Sequence, residues 1–313
     1  MRAFAPGKLV LTGAYAVLDG APAIAVAVSR GAFADTSRAA LDATPEVRAA
    51  LGDDASAPYV DASAMFSDGR KLGLGASAAI LVASLAAIEV GAGADLSDAT
   101  VRERLLARAR AAHASAQSGG SGVDVATSVH GGAIRYVMGE PVKRVAVPAG
   151  LEIHVFACAT SARTSELRAQ VDRLAQTNPA VHGACSTDLR TIANDAARAV
   201  DAGDAAGFVD SLRRTARALA RLGNAAEIAI VPAGFDELEA IAARDAASFS
   251  VSGAGGGDVA VHVGPAKPSV LFLERARALG LSMLDLSIDY KGVRIASAAP
   301  VFTAATAGAP DQR

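Results

Sequence analysis

The chain has 313 residues, of which 51% are hydrophobic and 20% are charged, and its formal net charge is −2. That length supports one large or two medium domains with ample core, and the near-zero charge excludes the basic surface typical of proteins that bind nucleic acid or anionic membranes. Cys158 and Cys185 are too few for a disulfide framework or a four-cysteine zinc site, so we expect two reduced thiols. Because the sequence shows neither a signal-peptide pattern nor a bilayer-spanning apolar run, we expect a cytoplasmic protein.

The first half of the chain predicts mixed strands and helices. Alternating apolar and small residues over 3–18, interrupted at Pro6-Gly7, predict a strand, a turn and a second strand. The valine- and isoleucine-rich segment Pro22–Ser29 predicts a further strand. Residues 77–90 are apolar on nearly all sides, which predicts a buried helix, and residues 99–116 predict a helix with one charged face. After the glycine break at 119–122 follow a short helix, VDVATSVHGG, and two strands, AIRYVM and VKRVAV.

The pattern restarts near Pro148-Ala149-Gly150, where we place a domain boundary. The predicted elements that follow are a strand at 151–159, helices at 164–176, 183–202, 205–222, 235–244 and 269–279, a strand at 259–263 and a closing strand near 292–303. Because strands and helices mix without strict βαβ alternation, the predicted fold class is α+β. The predicted domains are residues 1–149 and 150–303, and residues 304–313 are expected to be a disordered tail.

Three glycine-rich segments stand out: APGKLVLTG (Ala5–Gly13), GLGASAA (Gly73–Ala79) and SGAGGGD (Ser252–Asp258). Glycine allows backbone conformations in which main-chain N–H groups approach a bound anion closely. One such segment indicates little. Three of them, spread over the chain, predict a polyphosphate site assembled from separate parts of the fold.

The second segment also fits the dinucleotide-binding pattern G-x-G-x-x-A, which requires a buried strand before it and an acidic residue at the end of the next strand. Here turn-like residues SDGRK precede it, and the acid at suitable spacing, Asp95, lies in a loop sequence. A phosphate loop at the N-terminus of the 77–90 helix is the better interpretation. Neither the G-x-x-x-x-G-K-[ST] motif nor the protein-kinase motifs are present. The residues assigned to nucleotide binding are Gly73, Leu74, Gly75, Ala76, Ser77 and Ala78.

Two charged residues are candidates for the chemistry. Lys8 is one of only five lysines among 30 basic residues, and it lies within an apolar segment, where burial is costly unless the ammonium meets an anion. The alternative is an edge lysine that extends to solvent. Asp124 follows a glycine turn, so its carboxylate either points into a cleft or stabilises a helix N-terminus. Ser77 either offers its hydroxyl to Mg²⁺ or phosphate or caps the helix.

In this order the three segments resemble the motifs of the GHMP kinases, a superfamily that includes galactokinases, homoserine kinases and mevalonate kinases. Within it, Gly13-Ala14-Tyr15 is similar to the G-G-Y of the phosphomevalonate kinases, and AHASAQSGGSGVDVATS is similar to their A-H-x-x-A-Q…G-S-G-x-D-V-A segment. Ala76 departs from the pattern, because it replaces the first serine of G-L-G-S-S-A-A.

The resemblance implies a ribosomal-protein-like N-terminal domain, which binds ATP, and a ferredoxin-like C-terminal domain, with the active site between them. The implied reaction transfers the γ-phosphoryl group of ATP to (R)-5-phosphomevalonate, with Mg²⁺ as a cofactor. Lys8 and Asp124 would be catalytic and Ser77 would bind the metal. His113 stands where mevalonate kinases have a metal-binding glutamate. The implied substrate-binding residues are Tyr15, His113, Ser121, Gly122, Ser252, Gly253, Ala254, Gly255, Gly256, Gly257 and Asp258.

Other activities within the same superfamily remain open at this point. A mevalonate kinase would phosphorylate a hydroxyl, a diphosphomevalonate decarboxylase would release CO₂, and a non-catalytic sensor would only bind its ligand. The expected partners are ATP and a small-molecule substrate, with no nucleic acid or membrane, and the expected assembly is a monomer or homodimer. A phosphorylated acceptor also needs cations, and besides Lys8 the sequence offers Arg70, Lys71, Arg135 and Arg163 near the motifs.

Overall fold

The computed structural model describes residues 1–52, 56–67, 69–117, 119–159 and 164–297. These residues form a mixed helix and sheet fold. The helices are α1 (Pro45–Leu51), α2 (Ala76–Gly91), α3 (Ala99–Ala116), α4 (Val123–His130), α5 (Thr164–Thr177), α6 (Pro179–Ala202), α7 (Ala205–Ala225), α8 (Phe235–Arg244) and α9 (Val270–Ala278). The strands are β1 (Arg2–Thr12), β2 (Ala23–Ala39), β3 (Pro58–Asp61), β4 (Phe66–Ser67), β5 (Arg70–Lys71), β6 (Ala133–Tyr136), β7 (Lys143–Val145), β8 (Glu152–Ala157), β9 (Ser248–Val251), β10 (Val259–Gly264), β11 (Ser282–Leu284) and β12 (Arg294–Ile295).

The described strands form two larger sheets and a two-stranded sheet of β4 and β5. The first has the order β12-β1-β2-β6-β7, with β3 also paired to β2, and the second has the order β11-β8-β10-β9. Every strand pairing between these described elements is antiparallel. An antiparallel sheet before α2 is incompatible with the dinucleotide-binding βαβ unit, so the rejection of that alternative is confirmed. The α+β class is confirmed as well.

The predicted strand, turn and strand over residues 3–18 is wrong. β1 runs unbroken from Arg2 to Thr12, because the Pro6-Gly7 step is absorbed as an irregularity where the pairing with β2 shifts register. Such a bulge bends a strand without ending it. The chain then turns through a short 3₁₀ helix at Ala16–Asp19. The strand predicted at Pro22–Ser29 is also longer than expected, because it continues to Ala39.

The helices next to the glycine segments are confirmed. α2 packs against β1 and β2, and its alanine and leucine side chains lie in the core of the first sheet, which explains why it is apolar on nearly all sides. α3 spans the predicted residues 99–116, and the Asp98 side chain accepts a hydrogen bond from the Thr100 amide at its start. α4 also forms where the sequence predicts it, directly after Gly122.

The end of the described chain returns to the first sheet. β12 pairs with β1, and Val28 of β2 forms a bridge with Ile288. The division at residues 149 and 150 stays a prediction, as do the ribosomal-protein-like and ferredoxin-like domain types. The predicted tail at 304–313 and the end of the predicted closing strand lie outside the described residues. Within the described ranges, no helix has both the length and the apolar character needed to cross a membrane.

Candidate active site

β1 places Lys8 directly under the second glycine segment. The Lys8 amide donates a hydrogen bond to the Leu74 carbonyl oxygen at 2.8 Å, and the residue is only 7% exposed. Gly75, with φ +77°, caps the N-terminus of α2. A Cβ atom at this position would lie 3.0 Å from both Cγ and Cε of Lys8. Glycine is therefore required here both by the left-handed backbone and by the close approach of the lysine stem.

The Lys8 side chain forms an ion pair with Asp124. Its Nζ lies 3.5 Å from Oδ2 of Asp124, and the two side chains are 9% and 31% exposed. Asp124 is in the first turn of α4, and one turn further on the Ser128 hydroxyl donates to the Pro6 carbonyl oxygen at 2.6 Å. This bond fastens α4 to β1 close to the lysine. An ammonium group has three hydrogens, so the contact with Asp124 leaves others available to an anion.

The third glycine segment packs against the same strand. The Val10 amide donates to Ser252 Oγ at 3.0 Å, and the Gly253 amide donates to the Val10 carbonyl oxygen at 3.2 Å. A Cβ atom on Gly253 would lie 3.9 Å from Lys8 Nζ. The segment also touches the phosphate loop, because a Cβ atom on Gly73 would clash with Cβ of Asp258 at 2.3 Å. The three segments thus converge on Lys8, and their predicted role in binding a polyphosphate stays a prediction.

The rest of the third segment is anchored elsewhere. The Gly256 amide donates to the Ile230 carbonyl oxygen at 2.8 Å, and a Cβ atom on Gly255 would lie 2.2 Å from that oxygen. The main chain at Gly255 and Gly256 therefore packs against Ile230. Their assignment to substrate binding stays a prediction, as does that of Gly257.

Tyr15 joins the first segment to the third. Its hydroxyl donates to the Ala254 carbonyl oxygen at 2.8 Å, and burial raises the pKa of the phenol, so the group stays protonated. Its backbone has φ 62°, a conformation that is rare for residues other than glycine. Because the hydroxyl is engaged within the protein, the structure gives Tyr15 an anchoring role. The predicted contact with substrate is not tested.

A polar network surrounds Ser77 in the first turn of α2. Its Oγ lies 3.5 Å from Nε2 of His113 and 3.3 Å from Nε2 of Gln117, which donates to it. Gln117 Nε2 also donates to Oε1 of Glu46 at 3.0 Å. Burial raises the pKa of the Glu46 carboxyl, but hydrogen bonds, with Gln117 first among them, and the nearby His113 outweigh it and hold that pKa below its usual range. Sequence reasoning identified His113 and Ser77 and included Gln117 in the A-H-x-x-A-Q segment without giving it a role, but it missed Glu46.

The loop before Asp124 is flanked by two arginines that sequence reasoning also missed. A Cβ atom on Gly122 would lie 3.1 Å from Nε of Arg110, and one on Gly119 would lie 3.6 Å from both terminal nitrogens of Arg168. Ser121 is engaged within this loop, since its hydroxyl accepts from the Val123 amide at 3.3 Å. For Arg110 the available signal was spacing, because Arg110 and His113 are three residues apart on α3 and so share one face.

Three of the four cations that the sequence suggested for an acceptor phosphate are described, and none of the contacts found for them is with the glycine segments. Arg70 donates to the Ala159 carbonyl oxygen, and Lys71 is exposed on β5. Arg135 forms an ion pair with Asp201 at 2.8 Å. Arg163 lies outside the described residues.

The residues present fit a magnesium ion that is shared with a nucleotide. Among the described residues, no group of three or more His, Cys, Asp and Glu side chains is placed to hold a metal. Mg²⁺ in nucleotide sites keeps several waters and is held by few protein groups together with the substrate phosphates, and a serine or threonine hydroxyl is one such group in other nucleotide-binding proteins. The Ser77 hydroxyl, at the positive end of α2, would supply such a group.

Cys158, which lies next to Asp258 of the third glycine segment, is not a reactive thiol. The Cys158 amide donates to the Asp258 carbonyl oxygen at 3.1 Å, and burial, with Asp258 adding to it, raises the pKa of the thiol to about 12. It therefore stays protonated, and both Cys158 and Cys185 are free thiols as expected.

Comparison with known proteins gives relatives in both sequence and fold. No family model matches the chain. A phosphomevalonate kinase from Streptomyces sp. (strain CL190) is 29% identical over 341 residues, covering 85% of this chain and 90% of the relative. The fold is similar to that of a Lin0012 protein from Listeria innocua, with TM-score 0.80, 21% identity and coverage of 95% and 99% of the two chains.

Two further solved structures share the fold. One is the Streptococcus pneumoniae phosphomevalonate kinase in complex with phosphomevalonate and AMPPNP, with TM-score 0.75, 18% identity and coverage of 92% and 99%. The other is a mevalonate kinase, with TM-score 0.70, 13% identity and coverage of 93% and 100%. The sequence relative and the shared fold together bear out the resemblance that the motifs indicate.

Proposed function

We propose that this chain, which is related to the GHMP kinase superfamily in sequence and in fold, transfers the γ-phosphoryl group of ATP to a small phosphorylated acceptor, (R)-5-phosphomevalonate. One observation carries the proposal: three glycine-rich segments, far apart in the sequence, meet around the buried Lys8 and its partner Asp124. Glycine loops whose main-chain N–H groups can face an anion, with a cation at their centre, suit a triphosphate.

The proposed chemistry needs charge neutralisation more than proton removal. An oxygen of the acceptor's phosphate attacks the γ-phosphorus, the bond from that phosphorus to the β,γ-bridging oxygen breaks, and ADP leaves with the bond's electron pair. The attacking oxygen is already ionised at neutral pH, so positioning and electrostatic stabilisation provide most of the acceleration. The Lys8 ammonium would donate hydrogen bonds to the γ-phosphate and the acceptor, while Asp124 holds it in place. A magnesium ion bound through Ser77 would neutralise the nucleotide phosphates.

The substrate assignment rests on the named relative and on the charges beside Asp124. The relative from Streptomyces is a phosphomevalonate kinase, and the Streptococcus neighbour was crystallised with phosphomevalonate. In this chain Arg110 and Arg168 border residues 119–122 next to Asp124, and Arg168 also lies 3.8 Å from Asp172. Arginine binds phosphate through paired N–H groups, so these two residues are better placed for the acceptor's phosphate than Arg70, Lys71 and Arg135.

One assay tests the proposal against its rivals within the superfamily. ADP release is measured with mevalonate, phosphomevalonate, diphosphomevalonate, galactose and homoserine as separate acceptors. We expect the highest kcat/KM with phosphomevalonate. Preference for mevalonate would replace the acceptor, CO₂ release from diphosphomevalonate would make the protein a decarboxylase, and nucleotide binding without turnover on any acceptor would make it a sensor.

A further inference from the structure

Glu46 is a buried carboxylate that none of the sequence motifs includes. It lies in the first turn of α1 and is 7% exposed, and α1 packs against α3. Its Oε1 accepts a hydrogen bond from Nε2 of Gln117 at 3.0 Å. Gln117 caps the C-terminus of α3 and is itself exposed. The same nitrogen donates to Ser77 Oγ at 3.3 Å, so one amide group connects α1 to the phosphate loop.

Glu46 determines the direction of the two hydrogen bonds that Gln117 makes. An ionised carboxylate only accepts, so Glu46 must face the NH₂ end of the Gln117 amide. That NH₂ group has two hydrogens, and the second one points at Ser77 Oγ, which must therefore accept it. The hydroxyl hydrogen of Ser77 is then left for Nε2 of His113, at 3.5 Å, which accepts it when the ring carries its own hydrogen on Nδ1.

A hydroxyl oxygen has two lone pairs. With one engaged by Gln117 and the hydrogen directed to His113, Ser77 keeps a single free lone pair. We propose that Glu46 and Gln117 form a positioning pair that holds the Ser77 hydroxyl in the orientation a nucleotide-bound magnesium ion requires. The inference rests on the proposed function, since it concerns the same phosphate loop. Partners of metal-binding groups commonly change metal affinity 10- to 100-fold when they are removed.

The test is ADP binding by titration calorimetry, with Mg²⁺ and with EDTA. We expect Gln117→Ala to weaken ADP binding about 10-fold in Mg²⁺ and to leave binding in EDTA unchanged. Because Gln117 is exposed, the substitution removes little packing. Glu46→Gln keeps the shape of the side chain but releases the constraint on the amide, so a smaller loss in Mg²⁺ is expected. Gln176→Ala, at an exposed glutamine of α5, is the matched control and should behave as the wild type.

A double-mutant comparison separates positioning from a general structural effect. In a Ser77→Ala background, Gln117→Ala should cause no further change in Mg²⁺-dependent binding, because the group it positions is gone. An equal loss in Mg²⁺ and EDTA, a loss that persists without Ser77, or wild-type binding by Gln117→Ala would each overturn the inference and leave the proposed function intact. If the wild-type protein does not bind ADP, or binds it without any Mg²⁺ effect, the proposed function fails together with the inference.

Discussion

At the scale of single residues, Lys8 combines burial with a partner that stays partly open to solvent. We expect Lys8→Met to lower kcat/KM for phosphomevalonate by at least 10²–10³-fold, the usual cost of removing one group that stabilises developing charge. Methionine keeps the apolar stem that packs against Gly75, and Asp124, 31% exposed, remains hydrated. We therefore expect the variant to unfold at the normal temperature. Steady-state kinetics checks the loss of kcat/KM, and thermal unfolding checks the stability.

Lys267→Met is the matched control, because that lysine is exposed in the segment before α9. It should retain wild-type turnover. A Lys8→Met variant that unfolds at the normal temperature and keeps near-native kcat would remove Lys8 from the mechanism.

Arg110 is the residue that best distinguishes a phosphorylated acceptor from a simple alcohol. Its guanidinium lies beside Gly122 and 5.6 Å from the centre of the Tyr136 ring. A hydrogen bond to a charged group contributes roughly 1.5–3 kcal/mol, so Arg110→Ala should raise KM for phosphomevalonate about 10-fold or more and change KM for ATP little. Arg135→Ala is the control, since Arg135 already pairs with Asp201. Equal KM values for both variants would assign the acceptor's phosphate to other cations.

At the scale of elements, the phosphate loop depends on Gly75. A valine there must adopt φ near +77° and would press its Cβ against the Lys8 stem at 3.0 Å. We expect Gly75→Val to weaken ADP binding, measured by calorimetry, about 10-fold or more, because the loop and the lysine are both displaced. The backbone strain alone costs of order 1–3 kcal/mol.

Gly93→Val separates this strain from the clash. Gly93 has φ +90°, but the space around it is open, so its variant should lose stability and keep its affinity for ADP. If both variants bind ADP as the wild type does, the loop is not a nucleotide site.

The sequence predicts some of these elements well for a physical reason. α2, α3 and α4 follow from hydrophobic periodicity and glycine breaks, which are local properties of the chain. The break at Pro6-Gly7 was misread because the pairing partner, β2, decides whether such a step ends a strand or becomes a bulge. Likewise β2 extends to Ala39 because β3 pairs with its second half, which local composition cannot reveal.

At the scale of the whole molecule, the candidate site also combines residues that local sequence marks with residues that only the fold brings there. Lys8, Asp124 and the glycine segments stand out in the sequence because each has an unusual residue type in an unusual local context, and the fold places them together; their roles stay predictions. Glu46 is an ordinary charged residue of a helix, and only the packing of α1 against α3 brings it near the second glycine segment. Arg110 shares a face of α3 with His113, but its position beside Gly122 also follows only from the fold. Arg135 looked equally suitable in the sequence, and the fold places Asp201 against it.

The core of the second sheet makes the stability of the protein depend on pH. His262 in β10 is fully buried, and neither ring nitrogen has a hydrogen-bond partner among the described residues. It stands opposite His154 of β8 and packs edge-on against Phe272 at 5.0 Å. Burial, with His154 adding to it and Asp245 opposing it, lowers the pKa of His262 from 6.5 to about 4. On the neighbouring strand β9, Phe249 stands opposite His262, so an imidazolium there would face an apolar ring.

Below pH 6.5 the unfolded chain therefore binds a proton that the folded chain does not bind until about pH 4. Since the unfolded state binds more protons in this window, the free energy of unfolding falls as the pH falls. At 1.36 kcal/mol per pKa unit, His262 accounts for a loss of about 3 kcal/mol on going from pH 7.5 to pH 4.

His262→Phe places an apolar ring of similar size in the same aromatic cluster and removes that proton. We expect it to match the wild type in urea unfolding at pH 7.5 and to be more stable at pH 4.5. The difference between the two proteins cancels the titrating groups that do not interact with His262, so parallel losses of stability from pH 7.5 to 4.5 would show that the buried imidazole does not control the acid response.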